Sequence, residues 1–248
     1  MSWRLTNRNV ESFNNLQIFL PSVKQNHSYI SIQPQLQKEN IMSIIKLHRH
    51  ALSGHSHRVQ LFLSVLGLNA DIIDIDLGSG EHKKSAFLQK NRFGQLPVLE
   101  DDDTTLSDSN AILVYLATKY DTSRQWLPEN AVAASEVQRF LSVAASKVAY
   151  GPASARLVNV FGAGFDLQAL ITESHVLLAH LDAHLQGRDW LATDKATIAD
   201  IANYTYIAHA PEGDVSLENY ANVRAWLQRI ERLPGFVGMQ VTAVGLAA

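Results

Sequence analysis

Two short stretches of this chain carry residue types that suit ligand chemistry. Gln95-Leu96-Pro97-Val98-Leu99 sets a proline directly before a short apolar run. Proline cannot donate to a sheet ladder, so it favours a shaped turn at the strand start and leaves backbone groups of the preceding residue free for an extended peptide. Shortly after comes Ser107-Asp108-Ser109-Asn110-Ala111-Ile112. A helix opening there forms a small anion pocket from its hydroxyls and N–H groups, and the helix dipole favours a carboxylate. Together the two stretches suit a ligand with peptide bonds and carboxylates. A third group, His48, His50, His55 and His57, raises metal binding, because neutral imidazoles ligate transition metals. Their spacing of two, with no carboxylate between them, argues against it, and His180 and His184 are expected on a solvated or interface face. The reading is that no metal is bound.

Composition narrows the chemistry further. The 248 residues suffice for one large domain or two small ones. A net charge of −3 offers no basic field for neutralising many phosphates, so nucleic-acid binding is disfavoured. There are no cysteines, which excludes disulfides, thiolate metal sites and a protein redox thiol. Any sulfur chemistry must come from the ligand. No apolar run approaches membrane-spanning length and no signal-peptide pattern opens the chain, so a cytoplasmic protein with no membrane partner is expected. Residues 1–41 are polar and rich in Asn and Gln, and are expected to be a disordered N-terminal extension, with Met42 a candidate start of the folded protein.

Apolar periodicity supplies the elements that must position these residues. Ile44 to His48 is a predicted strand, and Val59, Phe62, Leu63 and Leu66 mark a helix that Gly67 stops. Ile72 to Leu77 gives a second strand, parallel to the first because a helix crosses between them. A short charged helix at Lys83 to Lys90 precedes a third strand at Pro97 to Glu100. Asp101-Asp102-Asp103 is expected to turn it into Thr104 to Leu106, before a helix through Ile112 and Tyr120. Asp121 to Asn130 reads as a linker, and everything beyond it as helical: 131–150 continuing to about 161, then 167–186, 197–209 and 220–232. Tyr150-Gly151-Pro152 is expected to interrupt a helix and open the backbone, and Thr197 to cap a helix with Asp200 three residues on.

The chain resembles the cytosolic glutathione S-transferases, of the bacterial, serine-type, theta-like kind, across about residues 43–238. The resemblance rests on Gly94-Gln95-Leu96-Pro97-Val98-Leu99, on Asp108-Ser109 before Ala111-Ile112, and on Thr197-Ile198-Ala199-Asp200. Ala225-Trp226-Leu227 with Leu233-Pro234-Gly235-Phe236 adds a C-terminal signature. It implies a thioredoxin-like α/β domain, βαβ-α-ββα with a mixed four-stranded sheet, at residues 42–120. A linker at 121–130 and an all-α domain at 131–248 would follow. It implies a cis Pro97, whose preceding Leu96 pairs with the cysteinyl part of glutathione. Ser109 would hold the γ-glutamyl carboxylate and Asp108 its ammonium, Asp standing for the commoner Glu. His82 and Gln95 would face the glycyl carboxylate.

Glutathione is a weak acid at sulfur, with a cysteine-like pKa near 8.5 that leaves little thiolate at neutral pH. A hydroxyl near a helix N-terminus can favour the anion by donating to it. Ser53 stands at the family's serine position, six residues before Val59, with Ser56 and His55 as auxiliary candidates. Ser56 is expected chiefly to cap the first helix. The resemblance implies an electrophile site at Leu52, Ser146, Tyr150 and Arg156, although Tyr150 suits core packing equally well. The implied activity is transfer of an alkyl or aryl group to the glutathione sulfur by a homodimer. No cofactor is permanently bound, and glutathione is the co-substrate. The alternatives are a glutathione-fold binding or regulatory protein without transferase activity, and a glutathione-dependent dehalogenase or peroxidase.

Overall fold

A computed structural model describes residues 45–243. The expectations for residues 1–41 and for Met42 lie outside them. Strand β1, Ile45–Arg49, buries Ile45 and Leu47. Helix α1, Gly54–Val65, follows a short loop and buries Val59, Phe62 and Leu63. Its cap is Ser53, not Ser56. Ser53 has the extended backbone a cap requires (φ −87°, ψ 117°), and its Oγ accepts from the Ser56 N–H at 3.3 Å. Ser56 is buried inside the first turn, where its Oγ accepts from the His50 N–H at 3.3 Å. Gly67, at φ +67°, takes the left-handed conformation that ends the helix.

Strand β2, Ala70–Asp74, pairs parallel with β1, Ile45 opposite Ala70. A single 3₁₀ turn at Glu81–Lys83 and the short helix α2, Ser85–Leu88, lead to β3, Val98–Asp101, and β4, Thr104–Ser107. β3 runs antiparallel to both β1 and β4, giving a mixed sheet in the order β2-β1-β3-β4. The turn between β3 and β4 is tighter than the three-aspartate reading. Asp101 sits in β3 opposite Thr104, fully buried, accepting from Tyr115 Oη at 2.9 Å, Tyr120 Oη at 2.7 Å and Lys119 Nζ at 2.8 Å. Tyr115, Lys119 and Tyr120 all belong to α3, Ser109–Tyr120, which packs beside α1.

The rest is helical. Asn130 caps α4, Ala131–Val143, which continues through a π-helical stretch at Ala144–Ala153 into α5, Ser154–Phe161. The expected interruption is thus absorbed: Pro152 has no N–H to place, and wide turns carry the helix past it. Tyr150 projects outward at 74% exposure, so it neither packs in the core nor opens the backbone. Helix α6, Leu167–His184, precedes α7, Ile198–Ala208, and α8, Ala221–Glu231. His180 is exposed, as expected, whereas His184 is only half-exposed: its ring lies 5.1 Å from that of Phe140 and Nε2 is 2.8 Å from the Leu191 carbonyl.

α7 is the central strut. Thr197 caps it in a reciprocal box with Asp200, whose buried carboxylate also accepts from Trp226 Nε1 at 2.9 Å. On α8, Trp226, Leu227 and Ile230 bury the face that this bond anchors. α7 contacts both α4 and α1, so it ties the helical half to the helix that begins beside Ser53.

Candidate functional site

A cleft of about 600 Å³ opens along one end of the sheet, within the range of small-molecule sites. Three segments line it. The β1–α1 loop contributes His50, Ser53 and His55; the chain before β3 contributes Gln95, Leu96 and Pro97; the start of α3 contributes Asp108 and Ser109. His82 lines it as well. The Leu96–Pro97 bond is cis, and the sheet ladder begins only at Val98, which leaves the Leu96 N–H and C=O outside it. Asn91 holds the segment, donating from Nδ2 to the Gln95 carbonyl at 2.9 Å. Gly94, at φ +59°, lies so close to the His82 carbonyl that an added Cβ would sit 2.8 Å from it. That approach sets His82 beside Gln95.

At the α3 end, Asp108 caps the helix from an unusual backbone, φ +72°, its carboxylate accepting from the Ala111 N–H at 2.9 Å. Such conformations are costly for a non-glycine residue and collect at ligand sites. Ser109 is nearly buried. Its Oγ accepts from Arg58 Nη1 at 2.8 Å and lies 3.3 Å from His55 Nδ1. Arg58 is 1% exposed, and the same Nη1 donates to Asn110 Oδ1 at 2.8 Å. Its Nε and Nη2 meet no acceptor among the described residues. Burial lowers its pKa to about 10, which leaves it cationic near neutrality. Sequence reasoning missed Arg58, because nothing in its neighbourhood marks it as the donor to a serine 51 residues away.

At the α1 end, Ser53 stands at the cap with the helix dipole behind it. Burial, reinforced by the Arg58 charge, lowers His55 to about 3, so its ring is neutral near pH 7 and too weak a base to take a thiol proton. Tyr206 of α7 reaches the same spot. Its ring is 5.0 Å from the His55 ring and presses on Gly54, where an added Cβ would lie 2.6 to 2.9 Å from three ring carbons. Burial raises the Tyr206 pKa, opposed by the Arg58 charge, the His55 N–H and the Ser53 hydroxyl.

Other residues singled out from sequence stand apart from this cleft. Arg156 is 1% exposed in a buried ion pair, Nε to Glu212 Oε2 at 2.5 Å, and its Nη1 donates to the Leu52 carbonyl at 2.9 Å. It braces the loop ahead of Ser53. Burial pushes Glu212 up, but hydrogen bonds from Thr242, His209 and Arg156 outweigh it and bring the carboxyl down to about 2. Ser146 is exposed, with Oγ donating to the Ser142 carbonyl at 2.7 Å. On the helical side Phe161 of α5 is 45% exposed, its ring 6.2 Å from that of His50, which lines the cleft. The clustered histidines take separate partners: His48 meets Glu100 at 3.1 Å, and His57 meets Thr205 Oγ1 and the Val237 carbonyl, both at 2.9 Å.

Two family models match, "Glutathione S-transferase, N-terminal domain" over residues 45–118 and "Glutathione S-transferase, C-terminal domain" over residues 165–234. Glutathione S-transferase 3 of Zea mays is 31% identical over 210 residues, which cover 79% of this chain and 92% of that protein. A crystal structure of a glutathione S-transferase from Pseudomonas fluorescens Pf-5 superposes with a TM-score of 0.74 at 30% identity, covering 79% of this chain and 99% of that one. A glutathione transferase homologue from Drosophila mojavensis, solved with bound glutathione, superposes with a TM-score of 0.72 at 26% identity, covering 78% and 90%. The chain belongs to the glutathione S-transferase family, with a thioredoxin-like sheet domain followed by a helical one. Among the described residues no helix is long and apolar enough to cross a membrane.

Proposed function

We propose that the protein is a glutathione transferase in which Ser53 keeps the sulfur of bound glutathione ionised. The observation that carries this reading is the convergence of Ser53, Leu96 and Ser109, from three separate segments, on one cleft. The backbone of Leu96 pairs with the cysteinyl residue. Ser109 takes the γ-glutamyl carboxylate, with the Arg58 cation behind it, and Asp108 faces the ammonium. His82 and Gln95, with Lys83 alongside, meet the glycyl carboxylate. The sulfur then lies at the α1 N-terminus, where the serine hydroxyl and the helix dipole both favour the anion.

The thiol proton passes to solvent. The thiolate attacks an electrophilic carbon, a C–S bond forms, and the leaving group departs with its bonding pair. His50 and Phe161 border the side from which an apolar electrophile would approach. Residues 42–120 form the glutathione domain, 121–130 the link and 131–248 the helical domain, with 1–41 as a polar extension. The working unit is a cytoplasmic homodimer with no resident cofactor.

The test is glutathione affinity and the pKa of the bound thiol, read by thiolate absorbance, in the unaltered protein and in Ser53→Ala. The expected rise is about one unit or more, the value of a lost hydrogen bond to a charged group. An unchanged thiol acidity rejects the role of Ser53. Ser109→Ala is expected to weaken glutathione about tenfold by the same reasoning.

A further inference from the structure

We infer that Arg156 is a positioning residue for the Ser53 hydroxyl, and that the C-terminal segment Gly235–Thr242 sets it from outside the cleft. The inference rests on Ser53 as the thiolate-stabilising group; neither Arg156 nor that segment lines the cleft. The peptide group joining Leu52 to Ser53 is held on both edges. Its carbonyl accepts from Arg156 Nη1 at 2.9 Å, and its N–H donates to the His50 carbonyl at 3.0 Å. A peptide group is planar, so two bonds on opposite edges fix its plane and the point from which the Ser53 side chain departs. The guanidinium is fixed in turn. Its Nε donates to Glu212 Oε2 at 2.5 Å, so one rigid fork spans a carboxylate and a carbonyl. Behind it there is no slack: a Cβ on Gly213 would lie 2.5 Å from the Arg156 nitrogen, so the 3₁₀ turn at Ala210–Gly213 that carries Glu212 packs directly on the α5 backbone.

Glu212 is itself gripped by the segment that follows α8. Gly235, at φ +78°, turns the chain onto α1, where an added Cβ would lie 2.5 Å from the Ser64 carbonyl oxygen. The Val237 carbonyl accepts from His57 Nε2 at 2.9 Å. A carbonyl only accepts, so Nε2 carries the hydrogen and Nδ1 accepts from the Thr205 hydroxyl at 2.9 Å. Thr242, 5% exposed, ends the run with two donors on the carboxylate: its N–H on Oε1 at 3.2 Å and its hydroxyl on Oε2 at 2.5 Å. From Thr242 through Glu212 and Arg156 to the Leu52 carbonyl, every link is a hydrogen bond with a charged partner in a buried setting, the strong kind. A shift at the C-terminal end is therefore passed to the residue before Ser53.

Arg156→Lys keeps the charge opposite Glu212, but an ammonium has no fork with which to hold the Leu52 carbonyl as well. The pKa of bound glutathione, read by thiolate absorbance, is expected to rise by about half a unit or more, roughly threefold less thiolate at a fixed pH below that pKa, because a loosened Ser53 forfeits part of its bond to sulfur. Affinity for S-methylglutathione, which has no thiol to ionise, is expected to stay within about twofold. Thr242→Val keeps the side-chain shape and removes the hydroxyl; a smaller rise, about twofold in thiolate, is expected, and this variant decides the matter should Arg156→Lys fold poorly. In a Ser53→Ala background neither substitution is expected to add a shift. Lower stability in both variants with unchanged thiol acidity makes the network merely structural and overturns the inference. A shift in only one of two folded variants breaks the relay and overturns it too. Unchanged thiol acidity in Ser53→Ala itself overturns both this inference and the reading it rests on.

Discussion

Two arginines, each 1% exposed, are treated in opposite ways. Arg156 has Glu212 against it at 2.5 Å, and that carboxylate is further held by His209 Nδ1 at 2.6 Å and Thr242 Oγ1 at 2.5 Å. Arg58 has neutral partners only, Ser109 and Asn110, and no ion-pair partner among the described residues. The balanced arginine lies where α5 meets the 3₁₀ turn at Ala210–Gly213, which follows α7, and serves the frame. The other lies directly behind the cleft. A buried cation with no ion pair costs stability, and in the reading proposed above the γ-glutamyl carboxylate at Ser109 offsets that cost.

The contrast can be broken from the framework side first. Glu212→Ala leaves Arg156 buried and unpaired, and chemical denaturation is expected to show a loss of about 3 to 5 kcal/mol. Acid offers a gentler version. Because the folded carboxyl sits near 2, its contribution is fully present above the unfolded pKa near 4.3 and is lost as pH falls through 2. The stability gap between the unaltered protein and Glu212→Gln, roughly 3 kcal/mol if it follows that shift, should therefore close across this window. A gap independent of pH would separate Glu212 from the titration.

On the cleft side the sign reverses. Arg58→Met replaces a costly charge by an apolar chain of similar length, so the ligand-free protein is expected to keep or gain stability while glutathione binding weakens about tenfold. A parallel loss of stability would make Arg58 structural, like Arg156. The smallest effect is at Asp108→Asn. Asparagine caps as well as aspartate, so stability should move by less than about 0.5 kcal/mol. Calorimetry should still find a few-fold weaker affinity for glutathione, from loss of the charge facing the ammonium.

Much of the architecture was legible in the sequence because it is written locally. Periodicity placed the strands and helices to within a few residues, and Gly67, Thr197 and the Trp226 face behaved as their residue types dictate. The errors arose where local rules compete. Ser53 and Ser56 are both good caps, and only the backbone angles decide between them. Asp101 looked like a turn residue because two more aspartates follow it, while its partners Tyr115, Lys119 and Tyr120 lie on another element. Pro152 announced a break that π-helical turns accommodate. In the cleft, the residues carried by motifs were visible. Arg58, Tyr206 and Phe161 were not, because their meaning comes from contacts across the fold, about 150 residues in the case of Tyr206 and Gly54.

The closeness of the Tyr206 ring to Gly54 makes residue 54 a gauge of the gap between the two halves. A single methyl there would act as a wedge, forcing the first helix and the seventh to part before either could settle. Assembly of the frame and readiness of the proposed sulfur site are thereby fastened at one point, and a one-carbon insertion measures whether they can be separated.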